Sequence, residues 1–169
     1  NMRIKSLWHS AYKGHDIDGV SIASVAKKTG ARGYNYSIMM SKADTEMPMR
    51  GRCSAGQKVL ASFVIRLALA DAFCTACGVL TLDEPTTNLD VANKEGLAQA
   101  IGRIIVERKA QKNFQLIVIT HDEDFIQMLS DATEMSRGVG GVYWRISREE
   151  DAHRRGTYHS KIERQNFGM

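Results

Sequence analysis

The 169-residue chain has no apolar run approaching ~20 residues, so no transmembrane helix is expected. Asn1-Met2-Arg3-Ile4-Lys5 is followed by no apolar core, so it does not read as a secretory signal. Cysteine is scarce and odd in number, at three, which argues against a disulfide framework and fits a reducing compartment. Two of the three form Cys74-Thr75-Ala76-Cys77, but no second Cys or His pair stands at a spacing that would complete a zinc site. A redox CxxC should open a helix, whereas this one closes one, so both thiols are read as buried and structural. There is no internal repeat and no low-complexity tract. Acidic charge is only slightly outnumbered: a net +4 permits a polyanionic partner without requiring one. Basic residues gather at Lys27-Lys28 with Arg32, at Arg50 and Arg52, and at His153-Arg154-Arg155, each of which reads singly as solvated surface.

What is present is a patterned single domain, long enough to bury a core. Ile4, Leu7, Trp8 and Ala11 recur at helical spacing from Met2 to Tyr12. Alternating stretches at 19–23 and 34–40 read as strands, joined through turn residues and followed by a polar connection from Ser41 to Arg52. A long helix starts near Gly56, with Leu60, Phe63, Val64, Leu67 and Ala68 as its apolar stripe and Lys58, Ser62 and Arg66 on a separate ridge. The run 78–82 is continuously apolar, as expected of a strand buried on both faces. A second helix spans 91–109, weakened by Gly96 and Gly102 at about 1 kcal/mol each. Another buried strand covers 116–119, a short helix 122–129 and a last strand 141–146. Helix and buried strand alternate, which predicts an α/β fold with a mostly parallel sheet and helices on its faces. From Arg148 the chain is charged and is expected to be a flexible tail, leaving 1–147 as the folded unit.

Both apolar strands end in polar residues, at the sheet edge where open α/β folds bind ligands. Asp83 and Glu84 follow Leu82, and Thr120 and His121 follow Ile119. Carboxylates there suit Mg²⁺, a hard cation that keeps several waters; Asp83 would hold its water shell and Glu84 would orient or deprotonate an attacking water. The plainer alternative is a capped strand-to-loop turn. Asp90 also reads as the N-cap of the helix behind it. Cys53-Ser54-Ala55-Gly56-Gln57 opens the first long helix, where a hydroxyl residue and a glycine leave free N–H groups for an anion. An ordinary serine cap is the alternative here. The stretch from Gly51 to Lys58 is not a phosphate loop: Gln57 stands where the lysine belongs and Val59 follows Lys58. No phosphate loop occurs elsewhere. Asp122, Glu123 and Asp124 read as complements to a helix dipole, without chemistry.

The words themselves resemble a known family. Residues 83–90, Asp-Glu-Pro-Thr-Thr-Asn-Leu-Asp, are similar to the Walker B and D-loop of ABC-type ATPases, residues 53–57 to the signature motif, and Thr120-His121-Asp122 to the switch histidine. Within that superfamily, residues 49–62, 82–90 and 113–125 resemble the SMC-like ATPase family of the eukaryotic MRN double-strand-break repair complex. The likeness runs from about Leu7 to Ile146. It implies the C-terminal lobe of an ABC-type ATPase head, completed by an N-terminal half that carries Walker A and is reached through a long coiled coil. Two heads would then dimerise around two ATP molecules. Ser54, Ala55, Gly56, Gln57 and Asp90 would serve the nucleotide, with Ser54 and Gly56 reaching the γ-phosphate on the opposite head. Asp83 would position Mg²⁺ through water, and Glu84 and His121 would be catalytic. From their position alone, on the helix that starts at the signature, Lys58 and Arg66 would link nucleotide state to head motion. The resemblance further implies double-stranded DNA and a repair nuclease as partners, and a nuclear, chromosome-associated location. The family's Zn²⁺ site lies at the coiled-coil apex and is not Cys74 with Cys77.

Chromosome-organising SMC heads typically read Asp-Glu-Val-Asp-Ala where Asp83-Glu84-Pro85-Thr86-Thr87 stands here. Transporter heads prefer Leu-Ser-Gly over Cys53-Ser54-Ala55. A non-catalytic DNA-binding scaffold is a further alternative, opposed by the intact Ser54, Asp83, Glu84 and His121. Without a phosphate loop, the chain alone is expected to be inactive.

Overall fold

The computed structural model describes residues 1–26, 33–43, 45–73, 79–108, 113–134, 142–151 and 156–166. The Cys74 and Cys77 pair and the basic clusters at 27–28 with 32 and at 153–155 lie outside the described residues.

The four apolar positions read from the sequence as one helical face are all buried on α1 (Met2–Ala11). Trp8 is buried with its Nε1–H donating to the Ile17 carbonyl at 3.1 Å, so its single polar atom is satisfied. β1 (Gly19–Ala26), β2 (Tyr34–Lys42) and β3 (Thr45–Pro48) follow as an antiparallel sheet in that order. β3 falls inside the stretch read as a polar connection. Thr45-Glu46-Met47-Pro48 has little strand signal of its own and forms by pairing with the end of β2.

α2 (Ala55–Phe73) buries the whole stripe from Leu60 to Ala68 and leaves Lys58, Ser62 and Arg66 in solvent. α3 (Val91–Glu107) turns Leu97, Ile101 and Ile104 inward. A Cβ on its Gly96 would stand 2.1 Å from the Ala11 carbonyl, so the glycine that weakens the helix is also what lets α1 approach it. Gly102 does the same toward the backbone of α4 (Glu123–Glu134). Arg3 pairs with Asp71 at 2.7 Å and with Glu107, and Arg108 reaches Asp71 at 3.4 Å, which joins the ends of α1, α2 and α3.

β4 (Val79–Asp83) and β5 (Gln115–Ile119) pair in parallel, with Asp83 opposite Ile119. Among the described residues this pair is a two-stranded parallel sheet by itself; the other two sheets are antiparallel. The expectation that both strands are buried on both faces is corrected. Leu82 is buried and Leu80, Leu116 and Val118 pack on the core, while Val79, Ile117 and Ile119 are 51%, 39% and 56% exposed. Among the described residues nothing covers that second face, although its apolar side chains are of the kind that a second layer covers.

The expected flexible tail is corrected as well. The last strand runs on as β6 (Val142–Glu150) and pairs with β7 (Tyr158–Asn166), Ile146 opposite Ile162. Charged residues mask the strand pattern because they stand on both faces: Lys161 bonds Glu149 and Glu163 on one, and Arg148, Glu150 and Arg164 fall on the other. The other face carries Trp144, Ile146 and Ile162, all exposed. Among the described residues, no helix is long and apolar enough to cross a membrane.

Candidate functional site

β4 and β5 run in the same direction and stop level with each other, so whatever follows them meets at one edge. The ladder continues one step beyond, with the Glu84 N–H donating to the Ile119 carbonyl at 2.8 Å. Glu84 then adopts φ +44, in the left-handed region that disfavours a non-glycine residue by roughly 1–3 kcal/mol. Hydrogen bonds from the Thr87 hydroxyl to the Glu84 carbonyl and from the Leu89 N–H to the Thr86 carbonyl hold the turn. This bend brings Glu84 Oε2 to 2.8 Å from His121 Nδ1. The Glu84 carboxylate holds the His121 imidazole above its ordinary pKa, although the ring is 85% exposed. Asp83 stands exposed on the open face of β4.

Asp122 caps α4 through the Phe125 N–H at 3.1 Å and pairs with Lys94 at 2.5 Å. Burial would raise its pKa, but bonds from Lys94, the Phe125 N–H and Thr86 outweigh this and hold the carboxyl below its ordinary value. Its contacts are those of a cap and a strut between α3 and α4.

The signature sequence builds a second corner. Ser54 Oγ accepts from the Gln57 N–H at 3.2 Å, and Gln57 Oε1 accepts from the Ser54 N–H at 2.9 Å, a reciprocal capping box. The Lys58 N–H returns to the Ser54 carbonyl. Among the described residues, nothing accepts from the N–H groups of Ala55 or Gly56, which leaves two open donors at the positive end of α2. A Cβ on Gly56 would stand 2.4 Å from the Asn88 carbonyl oxygen, so only glycine fits against this loop. Asn88 itself has φ +61, a conformation asparagine tolerates. Asp90 caps α3 by accepting from the Asn93 N–H at 2.8 Å. Ser54, Gly56, Gln57 and Asp90 line one concave pocket of about 230 Å³ with Tyr12, Asn88 and Asn93.

The predicted residues thus fall into two groups. Ser54, Gly56, Gln57 and Asp90 share the pocket, with Ala55 beside them on the first turn of α2. Asp83, Glu84 and His121 stand at the sheet edge and do not line it. Lys58 and Arg66 join neither group: both are exposed on α2, and Arg66 lies over the Phe63 ring at 5.7 Å. Tyr12, Lys13, Gly14, Asn88 and Asn93 are pocket residues that the sequence reading did not single out. Asn88 was within reach, as part of the D-loop words. Tyr12 sits at the end of an ordinary amphipathic helix and carried no signal.

Among the described residues no three His, Cys, Asp or Glu side chains are grouped to hold a metal by themselves. One or two exposed carboxylates at a strand end fit Mg²⁺, which keeps waters and takes its remaining oxygens from phosphates. Asp83, exposed at the end of β4, is such a group, and the half-buried Glu84 beside it turns Oε2 to His121.

No protein-family model matches the chain. It is 52% identical over 153 residues to "DNA repair protein RAD50" of Arabidopsis thaliana, across 90% of this chain and 11% of that protein. Identity to the Dictyostelium discoideum protein of the same name is 51% over 153 residues, covering 90% of this chain and 11% of that one. Against the Saccharomyces cerevisiae one it is 54% over 134 residues, covering 78% and 10%. The chain therefore spans about 11% of the length of these curated relatives. Among solved structures, an SMC head bound to the C-winged helix domain of ScpA aligns with TM-score 0.60 and 15% identity, over 98% of this chain and 42% of that one. A chain from work on ATP-driven dimerization and DNA-stimulated activation of SMC ATPases gives 0.56 and 16%, over 97% and 81%. At such identity these two establish the fold alone, an α/β lobe of an SMC-type head. Half the positions shared with proteins of one name, on a fold of that type, leave one assignment: the chain belongs to the Rad50 family and corresponds to the C-terminal half of its SMC-like head.

Proposed function

We propose that this chain is half of an ATP-driven dimerising head that, joined to its N-terminal half, binds and hydrolyses ATP to control DNA tethering and a partner nuclease in double-strand-break repair. One observation carries the reading. The chain holds two chemically distinct corners, a Glu84–His121 pair at 2.8 Å on the parallel edge and an open helix N-terminus at Ser54–Gly56, yet has no phosphate loop to serve either. A composite site accounts for both. The edge works on a nucleotide cradled by the N-terminal half of the same head, and the signature corner works on the nucleotide of a second head.

At the edge, Asp83 would hold Mg²⁺ through its waters, and the ion would supply positive charge against the phosphates. Glu84 accepts a proton from, or orients, the attacking water, while His121 contacts the γ-phosphate. Their contact lets each hold the other in place, and the raised His121 pKa favours the form that donates to phosphate. At the other corner the Ser54 hydroxyl proton and the Ala55 and Gly56 amides offer three donors to a γ-phosphate arriving from outside, with Asp90 behind them capping α3. Lys58 and Arg66, exposed on the helix that starts at this corner, are placed to carry nucleotide state outward along α2. The uncovered face of β4–β5 suits docking of the N-terminal half. DNA, the nuclease and a nuclear location come with the relatives' repair role; zinc belongs to the coiled-coil apex, outside this chain.

The test is ATPase activity of this chain alone, of an N-terminal half alone and of the two co-expressed. Turnover only in the co-expressed pair supports a composite site. Equal turnover by this chain alone, or none by the pair, contradicts it.

A further inference from the structure

The capping box at Ser54 is not free-standing. The carboxamide of Gln57 is held at both ends: Oε1 accepts from the Ser54 N–H at 2.9 Å, and Nε2 donates to the Tyr12 hydroxyl at 2.8 Å and to Asp16 Oδ2 at 2.7 Å. The Tyr12 hydroxyl in turn donates to Asp16 Oδ1. Tyr12 is itself fixed, with its ring stacked on the buried Trp8 at 4.5 Å between centroids. Two residues 41 and 45 positions before Gln57 thus grip the side chain that closes the cap.

The polarity of the grip matters. An ionised carboxylate accepts hydrogen bonds only, so Asp16 selects the NH₂ end of the Gln57 amide. The oxygen end is thereby forced toward the Ser54 N–H. With the amide reversed, Nε2 would face another donor and the reciprocal cap would open. The Tyr12 hydrogen bond keeps the Asp16 carboxyl below its ordinary pKa; burial first and then the bond to Asp16 push Tyr12 up to about 12. Both groups therefore stay in the states the grip needs across the neutral range.

We propose that Tyr12 and Asp16 are positioning residues that clamp the Gln57 carboxamide, and through it hold Ser54 in the pose that leaves its hydroxyl proton and the Ala55 and Gly56 amides free for the incoming phosphate. Gln57 on this account acts through Ser54 rather than as a nucleotide ligand, since its own donors and acceptor are engaged within the chain. The inference rests on the composite-site reading above.

The test is a double-mutant cycle on ATP-dependent dimerisation of the full-length protein, read by analytical ultracentrifugation. Asp16 is exposed and Tyr12→Phe keeps the ring stacked on Trp8, so both variants should fold, which thermal melting checks. Asp16→Ala should weaken dimerisation about tenfold, Tyr12→Phe less, and ATP affinity of the monomer should not change. In a Gln57→Ala background Asp16→Ala should have no further effect, because the clamp has nothing left to hold. A role confined to fold stability would add in both backgrounds, and that result overturns the clamp. So does unchanged dimerisation in Asp16→Ala and Tyr12→Phe. If the unmutated protein shows no ATP-dependent dimer, the composite-site reading fails first and the clamp with it.

Discussion

The signature corner and the sheet edge solve opposite problems. At Ser54–Gln57 the capping box and the Gln57 carboxamide are paired within the chain, the Ser54 hydroxyl proton and the Ala55 and Gly56 amides are left open, and Gly56 is wedged against the Asn88 backbone with no room for a methyl group. At the edge, Asp83 and His121 stand in solvent, and the Glu84 side chain meets that of His121. A surface that must meet a ligand carried by another molecule gains from being rigid beforehand, since ordering it on contact would cost affinity. An edge that is finished by a second half of the same head can stay open, because the covering layer supplies the missing order.

The largest expected effect breaks the rigid corner. Gly56→Ala forces the D-loop backbone away from α2 and should cost about 2 kcal/mol in denaturant unfolding of the complete head, with ATP-dependent dimerisation lost. A wild-type unfolding midpoint in this variant contradicts the packing. The edge should respond through rate instead of fold: Glu84→Gln is expected to lower turnover by about 10²–10⁴-fold in single-turnover hydrolysis. Its unfolding midpoint should move little, since glutamine keeps the size of the side chain and the same backbone at φ +44, and the pairing lost is with an exposed His121. A smaller effect separates Asp122 from both. Removing this cap, as in Asp122→Ala, should cost about 1 kcal/mol. Its folded pKa lies below the unfolded value, so its contribution is present above the ordinary carboxylate value and lost as the pH falls from there through the lowered folded one. Acid unfolding of the variant should therefore begin from a lower plateau and fall less steeply than that of the unmutated head. The smallest effect lies at His121. Its folded pKa is raised by Glu84, so the pairing contributes below the ordinary histidine value and fades as the pH climbs through the raised one. An NMR titration should show the His121 pKa dropping in Glu84→Gln, and an unmoved titration would remove the pairing from the account.

How much of this was legible follows from where each signal lives. Periodicity gave α1, α2 and α3 because their stripes bury the residues it marks, Leu60 to Ala68 above all, while α4, read from its acidic start as 122–129, runs on to Glu134. The apolar runs placed β4 and β5 to within a residue at each end, and so the meeting of Glu84 with His121, because the two strands pair in a register that ends them level. Double-sided burial of those strands was misread. Their apolar outer residues are left uncovered by the described residues, and a sequence carries the demand for a covering layer without saying what meets it. The β6–β7 hairpin was hidden for a related reason. Lys161, Glu149 and Glu163 give its polar face the composition of a loose tail, and only the register with Trp144 and Ile146 shows the second face. Tyr12 and Asp16 were invisible because their partner lies more than forty residues away. A hydrogen bond at that distance leaves no local pattern.

The account stands or falls on whether the two corners act on different nucleotides. Sedimentation of the co-expressed halves with ATP, beside Ser54→Arg and Glu84→Gln, reads this directly. The account predicts that Ser54→Arg abolishes the ATP-dependent dimer while its monomer still binds ATP, and that Glu84→Gln traps a dimer that turns over slowly. Ser54→Arg dimerising like the unmutated pair, or Glu84→Gln failing to accumulate a dimer, would contradict it.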